Sequence, residues 1–141
     1  MKIAVSACLL GENCRYDGKN CRDEELLRFL EGHEVIPVCP ECKAGLPTPR
    51  TPIELVDGKP FDRNGTDLSE QLELAVDQTV SALKEQGCEL AILMERSPTC
   101  GVSTIYDGTF TSKLIDGQGL LAHKLCEANI PVMSKKSLHS C

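Results

Sequence analysis

The stretch from Asp67 to Met94 constrains the fold more than any other part of the chain. Leu68, Leu72, Val76, Val80 and Leu83 recur every three or four residues, so a long helix carries one apolar stripe. Gly87 supplies a stop, and the unbroken apolar run from Leu90 to Met94 follows at once. A strand apolar on both faces belongs inside a parallel sheet covered by helices. Asp67 and Glu70 are spaced as a capping box at the helix start.

The same alternation runs through the rest of the chain. Lys2 to Cys8 reads as a short buried strand, and Asp23 to Glu31 as a helix capped by Asp23 and stopped by Gly32. Val35 to Val38 reads as a strand running straight into Cys39. Gln118 to Ala128 reads as a last helix and Ile130 to Met133 as a last strand. Ile105-Tyr106 and Thr109-Phe110 flank Asp107-Gly108, a hairpin signal. The pattern predicts an α/β fold, three-layer and Rossmann-like, with a mainly parallel sheet and a small β-hairpin. A length of 141 residues suits one domain spanning 1–141. Six of the eight prolines fall between Pro37 and Pro60, which predicts a stiff functional loop without regular helix.

Cysteine is the compositional outlier, with nine in the chain, an odd number that full internal pairing cannot satisfy. Val5-Ser6-Ala7-Cys8 resembles a lipoprotein cleavage box, but only Ile3, Ala4 and Val5 lie between Lys2 and that site. A secretory apolar region needs about 7–15 residues. No apolar run is long enough to span a membrane. The expectation is a cytoplasmic protein with reduced thiols, whose cysteines serve metal or thiol chemistry. A net charge of −6 argues against DNA or an anionic membrane surface as partner. Two Tyr, three Phe and no Trp are too few for a platform on which successive bases stack.

Position says more than count. Cys8 and Cys39 stand at the carboxyl ends of two predicted strands, and Cys100 lies just beyond a third. Ligands of open parallel sheets bind outside those ends, so three thiols from distant segments are expected to converge. Thiolates are soft ligands for zinc, Cu(I) or iron–sulfur clusters. A structural zinc site wants four ligands in two local pairs, and Cys39-Pro40-Glu41-Cys42 is the only such pair. His33, His123 and His139 are not spaced as ligand partners. A cubane cluster on three cysteines would leave one iron open as a Lewis acid. A thioredoxin-like role for Cys39 and Cys42 needs a helix start, and the prolines that follow argue against one. Cys88 and Cys126 read as packing residues, Cys141 as terminal and exposed, and Cys14 and Cys21 as unassigned neighbours of the site.

Polar residues complete the candidate site. Glu41, two residues after Cys39, places a carboxyl for proton transfer beside the thiols. Ser97, three residues before Cys100, can donate a hydrogen bond into the site. Arg50 can anchor a substrate carbonyl or anion. Gly117-Gln118-Gly119, before the last helix, can cradle an anion.

Six segments together resemble the thiouracil desulfidase family: Val5-Ser-Ala-Cys-Leu-Leu-Gly11, Arg15-Tyr-Asp-Gly18, Val38-Cys-Pro-Glu41, Gly45-Leu-Pro-Thr-Pro-Arg50, Ser97-Pro-Thr-Cys-Gly101 and Ile105-Tyr-Asp-Gly108. They cover nearly the whole chain in the family's order. The resemblance implies a [4Fe-4S] cluster held by Cys8, Cys39 and Cys100 with one open iron. It implies non-redox removal of sulfur from a thiolated base or nucleoside, released as sulfide. Glu41 and Ser97 match the family's proton-transfer and hydrogen-bonding positions. Two residues depart from the pattern: Cys42 stands where an aliphatic residue is usual, and Thr99 replaces a Ser. Two rival expectations are a non-catalytic module with zinc or a fully ligated cluster, Cys42 or Cys14 being the fourth ligand, and a persulfide-bearing sulfur carrier.

Overall fold

Helices cover both faces of a four-stranded parallel sheet in the computed structural model, which describes residues 1–134. His139 and Cys141 lie outside the described residues. The sheet order is β2 (Glu34–Val38), β1 (Lys2–Ser6), β5 (Leu90–Leu93), β8 (Val132–Ser134). Val5 of β1 faces Pro37 on one side and Ile92 on the other. Pro37 has no N–H to give, and it is tolerated because β2 is an edge strand.

Side-chain alternation builds two cores from the same strands. Ile3, Val5 and Ile92 pack on Leu26 and Leu30, in and just after α1 (Glu24–Phe29). Ala4, Ala91 and Leu93 face the other way, onto Val76 and Leu83 of α3 (Ser69–Glu85) and Leu121 and Leu125 of α4 (Leu120–Glu127). The three-layer Rossmann-like reading therefore holds. Each fully buried Leu, Ile or Val contributes about 1.5–3 kcal/mol. The chain leaves β1 toward the α1 face and leaves β5 toward the α4 face. A crevice opens between their carboxyl ends, as expected at a topological switch point.

Two small antiparallel sheets are appended, β3 (Ile53–Val56) with β4 (Lys59–Asp62), and β6 (Thr104–Tyr106) with β7 (Leu114–Asp116). Neither is the expected hairpin across Asp107-Gly108. Thr104–Tyr106 pairs with Leu114–Asp116, and Thr109-Phe110 stays in the connecting loop. The β3–β4 pair lies inside the proline-dense stretch that predicts a loop, and Asp57-Gly58, with φ values of +51° and +80°, make its tight turn.

Three local expectations are also corrected. A single helical turn, α2 (Pro40–Lys43), does start after Cys39, with Pro40 at its first position, where a missing N–H costs nothing. α3 has no capping box: Asp67 Oδ1 accepts the Ser69 N–H at 2.8 Å, closing a turn just ahead of the helix. β1 ends at Ser6, and Cys8 lies in a 3-10 turn, Ala7–Leu10. Asp23 does cap α1, its Oδ1 accepting from Leu26 N at 3.1 Å.

Candidate active site

A cavity of about 420 Å³ lies at the carboxyl ends of β1, β2 and β5. All six residues singled out from the sequence line it: Cys8, Cys39, Glu41, Arg50, Ser97 and Cys100. Cys8 and Cys100 are buried and Cys39 is half-buried. Burial pushes the Cys8 thiol up to about 12, with Cys100, Cys21 and Cys39 adding and Arg15 opposing. Burial likewise lifts Cys100 to about 11, Glu41 and Cys39 adding while hydrogen bonds from Ser6 and Thr99 oppose. Cys39 is also raised, chiefly by burial. These thiols keep their protons at neutral pH unless a soft metal displaces them.

Three cysteine sulfurs lining one cavity are soft donors, the type that takes a soft metal group. Zinc with bonds of about 2.3 Å needs sulfurs within roughly 3.8 Å of one another. Among the described residues no three Cys, His, Asp or Glu side chains come together around a single metal position. Thiolates on separate irons of a cubane stand further apart, with the inorganic core between them. Cys14 also lines the cavity, and burial raises its thiol to about 11. Cys42 is exposed, with its Sγ 3.9 Å from Cys14 O and 3.8 Å from Thr48 Oγ1. Of the two candidate fourth ligands, Cys14 alone is in the cavity wall. Arg15 Nη1 donates to Cys21 Sγ at 2.9 Å. Cys88 is buried as expected, whereas Cys126 is exposed on α4 and is no packing residue.

The polar residues form one connected chain. Arg50 Nε donates to Glu41 Oε1 at 3.3 Å, with both side chains nearly buried, at 6% and 12% exposure. Its other donors reach Pro47 O, Thr48 Oγ1 and Cys14 O at 3.2, 3.1 and 2.9 Å. Four of its five N–H groups are thus engaged by the protein. On the far side of the carboxylate, Thr99 Oγ1 donates to Glu41 Oε2 at 3.1 Å. Ser97 Oγ stands 3.0 Å from Thr99 Oγ1 and accepts the Thr99 and Cys100 N–H groups at 3.2 and 3.0 Å. Those two backbone donors leave the Ser97 proton directed at Thr99 Oγ1. The hydroxyls therefore run Ser97 to Thr99 to Glu41.

Thr99, marked in the sequence only as a departure from the family's Ser, joins the Cys100 loop to Glu41. It is 1% exposed, and nothing in its type or spacing marks it as the link between two loops.

The glycine pair before α4 does not cradle an anion. The N–H groups of Gly119, Leu120 and Leu121 donate to the carbonyls of Gly101, Pro98 and Thr99 at 2.8, 3.0 and 2.8 Å. The helix start holds the Cys100 loop in place. A Cβ on Gly119 would stand 2.5 Å from the Thr99 carbonyl carbon and 2.9 Å from Cys100 N, so only glycine allows this approach. From the other side, Glu95 Oε1 accepts the N–H groups of Val102, Ser103 and Thr104 at 2.8, 2.9 and 3.0 Å. Burial alone would raise the Glu95 carboxyl, but these bonds outweigh it and hold the carboxyl below its ordinary range.

A doubly wound α/β domain with a cavity lined by three thiols and a braced carboxylate at its switch point has the build of an enzyme acting on small molecules. The chain belongs to the 2-thiouracil desulfurase family, whose model matches residues 3–137. It is 34% identical over 147 residues to the Bacillus subtilis (strain 168) protein YbbK, which is described as uncharacterized, covering 97% of each chain. The solved structure of TudS, a [4Fe-4S]-dependent thiouracil desulfidase, superimposes with a TM-score of 0.91. The two sequences are 36% identical, and the match covers 97% of this chain and 92% of that one. No helix among the described residues is long and apolar enough to cross a membrane.

Proposed function

We propose that this chain is an iron–sulfur-dependent desulfidase of a thiolated pyrimidine base or nucleoside. In this reading Cys8, Cys39 and Cys100 hold a [4Fe-4S] cluster. The observation that carries it is the convergence of those thiols, from the ends of three adjacent strands, on one cavity with Glu41. A cluster held by three thiolates supplies one iron free of protein ligands, a Lewis acid with affinity for sulfur.

The protein's own residues supply the rest. The reaction balances without redox: water adds to the thiocarbonyl carbon, the C–S bond breaks, and sulfur leaves as hydrogen sulfide. Glu41 is the base that takes a proton from the attacking water. Arg50 and Thr99 fix its two oxygens, so its aim is set before substrate arrives. Ser97 holds the Cys100 turn and aligns Thr99. Arg50, read from sequence as a substrate anchor, serves as the brace of Glu41.

Charge in the cavity points to the substrate. Four of the chain's six arginines line it, although the chain is acidic overall. Arg15 pairs with Asp17 and Arg50 with Glu41, while no acidic side chain pairs with Arg63 or Arg96 among the described residues. A thiolated nucleoside bearing a phosphate would bring the charge these two lack. A reducing compartment such as the cytoplasm would keep the thiols available.

Iron, zinc and acid-labile sulfide per chain, on protein purified without oxygen, test the reading. Iron and sulfide near about four each, with thiouracil turnover, are expected for a cubane cluster. Zinc near one without sulfide would sink it. The C14A variant should keep both cluster and turnover. If its cluster is lost, Cys14 is a ligand and the site is closed.

A further inference from the structure

The chain has two Tyr and three Phe, and Tyr16, Tyr106 and Phe110 line this one cavity. Phe110 is the most heavily supported of the three. It lies between β6 and β7 at φ +59°, in the left-handed region that bulky residues avoid. Ser112, also in the cavity wall, has φ +63°.

The support comes from a buried acid. Glu54 of β3 is 8% exposed, and its Oε1 accepts the N–H groups of Gly108 and Phe110 at 3.0 and 3.1 Å. Asp107 Oδ1 accepts the N–H and hydroxyl of Thr109 at 3.0 and 2.6 Å. Gly108, at φ +90°, packs so tightly on β3 that a Cβ would stand 2.5 Å from Leu55 O. A plain hairpin loop needs no such fastening. Unfavourable backbone conformations kept in place by their surroundings cluster at ligand clamps.

We propose that Phe110 determines specificity in this cavity: on a backbone held by Glu54, its ring stacks on the planar ring of the substrate and selects an unsaturated thio-heterocycle over a saturated one. The inference rests on the desulfidase reading. An aromatic face attracts a flat heterocycle through contact that a puckered ring forfeits.

The test pairs 2-thiouracil with 5,6-dihydro-2-thiouracil, which share the thiocarbonyl but not the planar ring. The ratio of their kcat/KM values is measured on cluster-loaded wild type, F110L and F110Y. Leu meets the same backbone strain, so the swap removes only the ring. F110L should lower the ratio about 10-fold, the size of one stacking contact, through KM for 2-thiouracil. F110Y should keep it. An unchanged ratio in F110L overturns the proposal.

If wild type turns over neither base, turnover of 2-thiouridine and its 5′-phosphate decides the desulfidase reading, and calorimetric binding of uracil against dihydrouracil decides on Phe110 alone. A planar preference lost in F110L supports the stacking role, and equal affinities in wild type overturn it. Should F110L lack the wild-type circular dichroism spectrum, F110M takes its place under the same criteria.

Discussion

Cys100 sits in a loop whose backbone is fastened on both sides, whereas Cys39 ends an edge strand and relies largely on one side chain. Around Cys100 the α4 start takes three carbonyls, Ser97 takes two amides, and Glu95 takes three more. Around Cys39 a single helical turn follows, with no side-chain cap, and Arg50 ties Glu41 to Cys14 and to the Pro47–Thr48 segment. The first region is positioned by backbone, which mutation rarely reaches. The second is positioned by a strut that one substitution removes.

The strut gives the largest expected effect. Arg50→Ala leaves the Glu41 carboxylate nearly buried without its cation, a loss of about 3–5 kcal/mol. Hydrogen exchange should show residues 39–50 opening while residues 97–104 stay protected. Equal loss of protection in both would erase the contrast. Next comes Gly119→Ala, which forces a methyl group against the Thr99 and Cys100 backbone and should cost about 1–3 kcal/mol. Its iron content should fall with Tm. Gly117→Ala, whose Cβ would meet only the Ile105 side chain at 3.0 Å, should fall less.

Among the described residues, Thr99→Val cuts the one side-chain hydrogen bond between the two walls. Losing a hydrogen bond to a charged group costs about 1.5–3 kcal/mol, so kcat should drop about 10-fold or more, with KM little changed. Thr99→Ser should restore it. A normal kcat in Thr99→Val would show that Glu41 needs no support from the Cys100 side.

The smallest effect is confined to alkaline pH. Unfolded thiols ionise near the ordinary value of 9.0, while folded Cys8 and Cys100 hold their protons to about 12 and about 11. From pH 9 upward the unfolded chain binds fewer protons than the native one, so the cluster-free fold loses stability with rising pH. Below pH 9 both states are protonated and the term vanishes. The gap in Tm between wild type and Cys8→Ala should stay constant from pH 8 to about 9 and narrow above it, because only wild type carries the raised Cys8 thiol.

What was legible in the sequence follows from periodicity. The Leu68–Leu83 stripe and the Leu90–Met94 run announce α3 and β5 because burial against a sheet demands those spacings. Cys8, Cys39 and Cys100 could be placed together because strand ends converge at a switch point. The β3–β4 pair and the β6–β7 partner choice were not legible, since strands of three or four residues carry too little pattern to declare a register. Nor could Thr99 or Glu54 be read from sequence. Each is a single polar residue whose meaning comes from a partner, Glu41 or Phe110, more than fifty residues away.

The docking of α4 onto the Pro98–Gly101 carbonyls also sets an order of events during synthesis. Cys100 leaves the ribosome before Gly119, Leu120 and Leu121, whose amides hold its loop. A nascent chain that already displays all three site thiols therefore lacks the clamp that fixes the third. The polypeptide must be made well past Cys100 before it can offer a finished receptor.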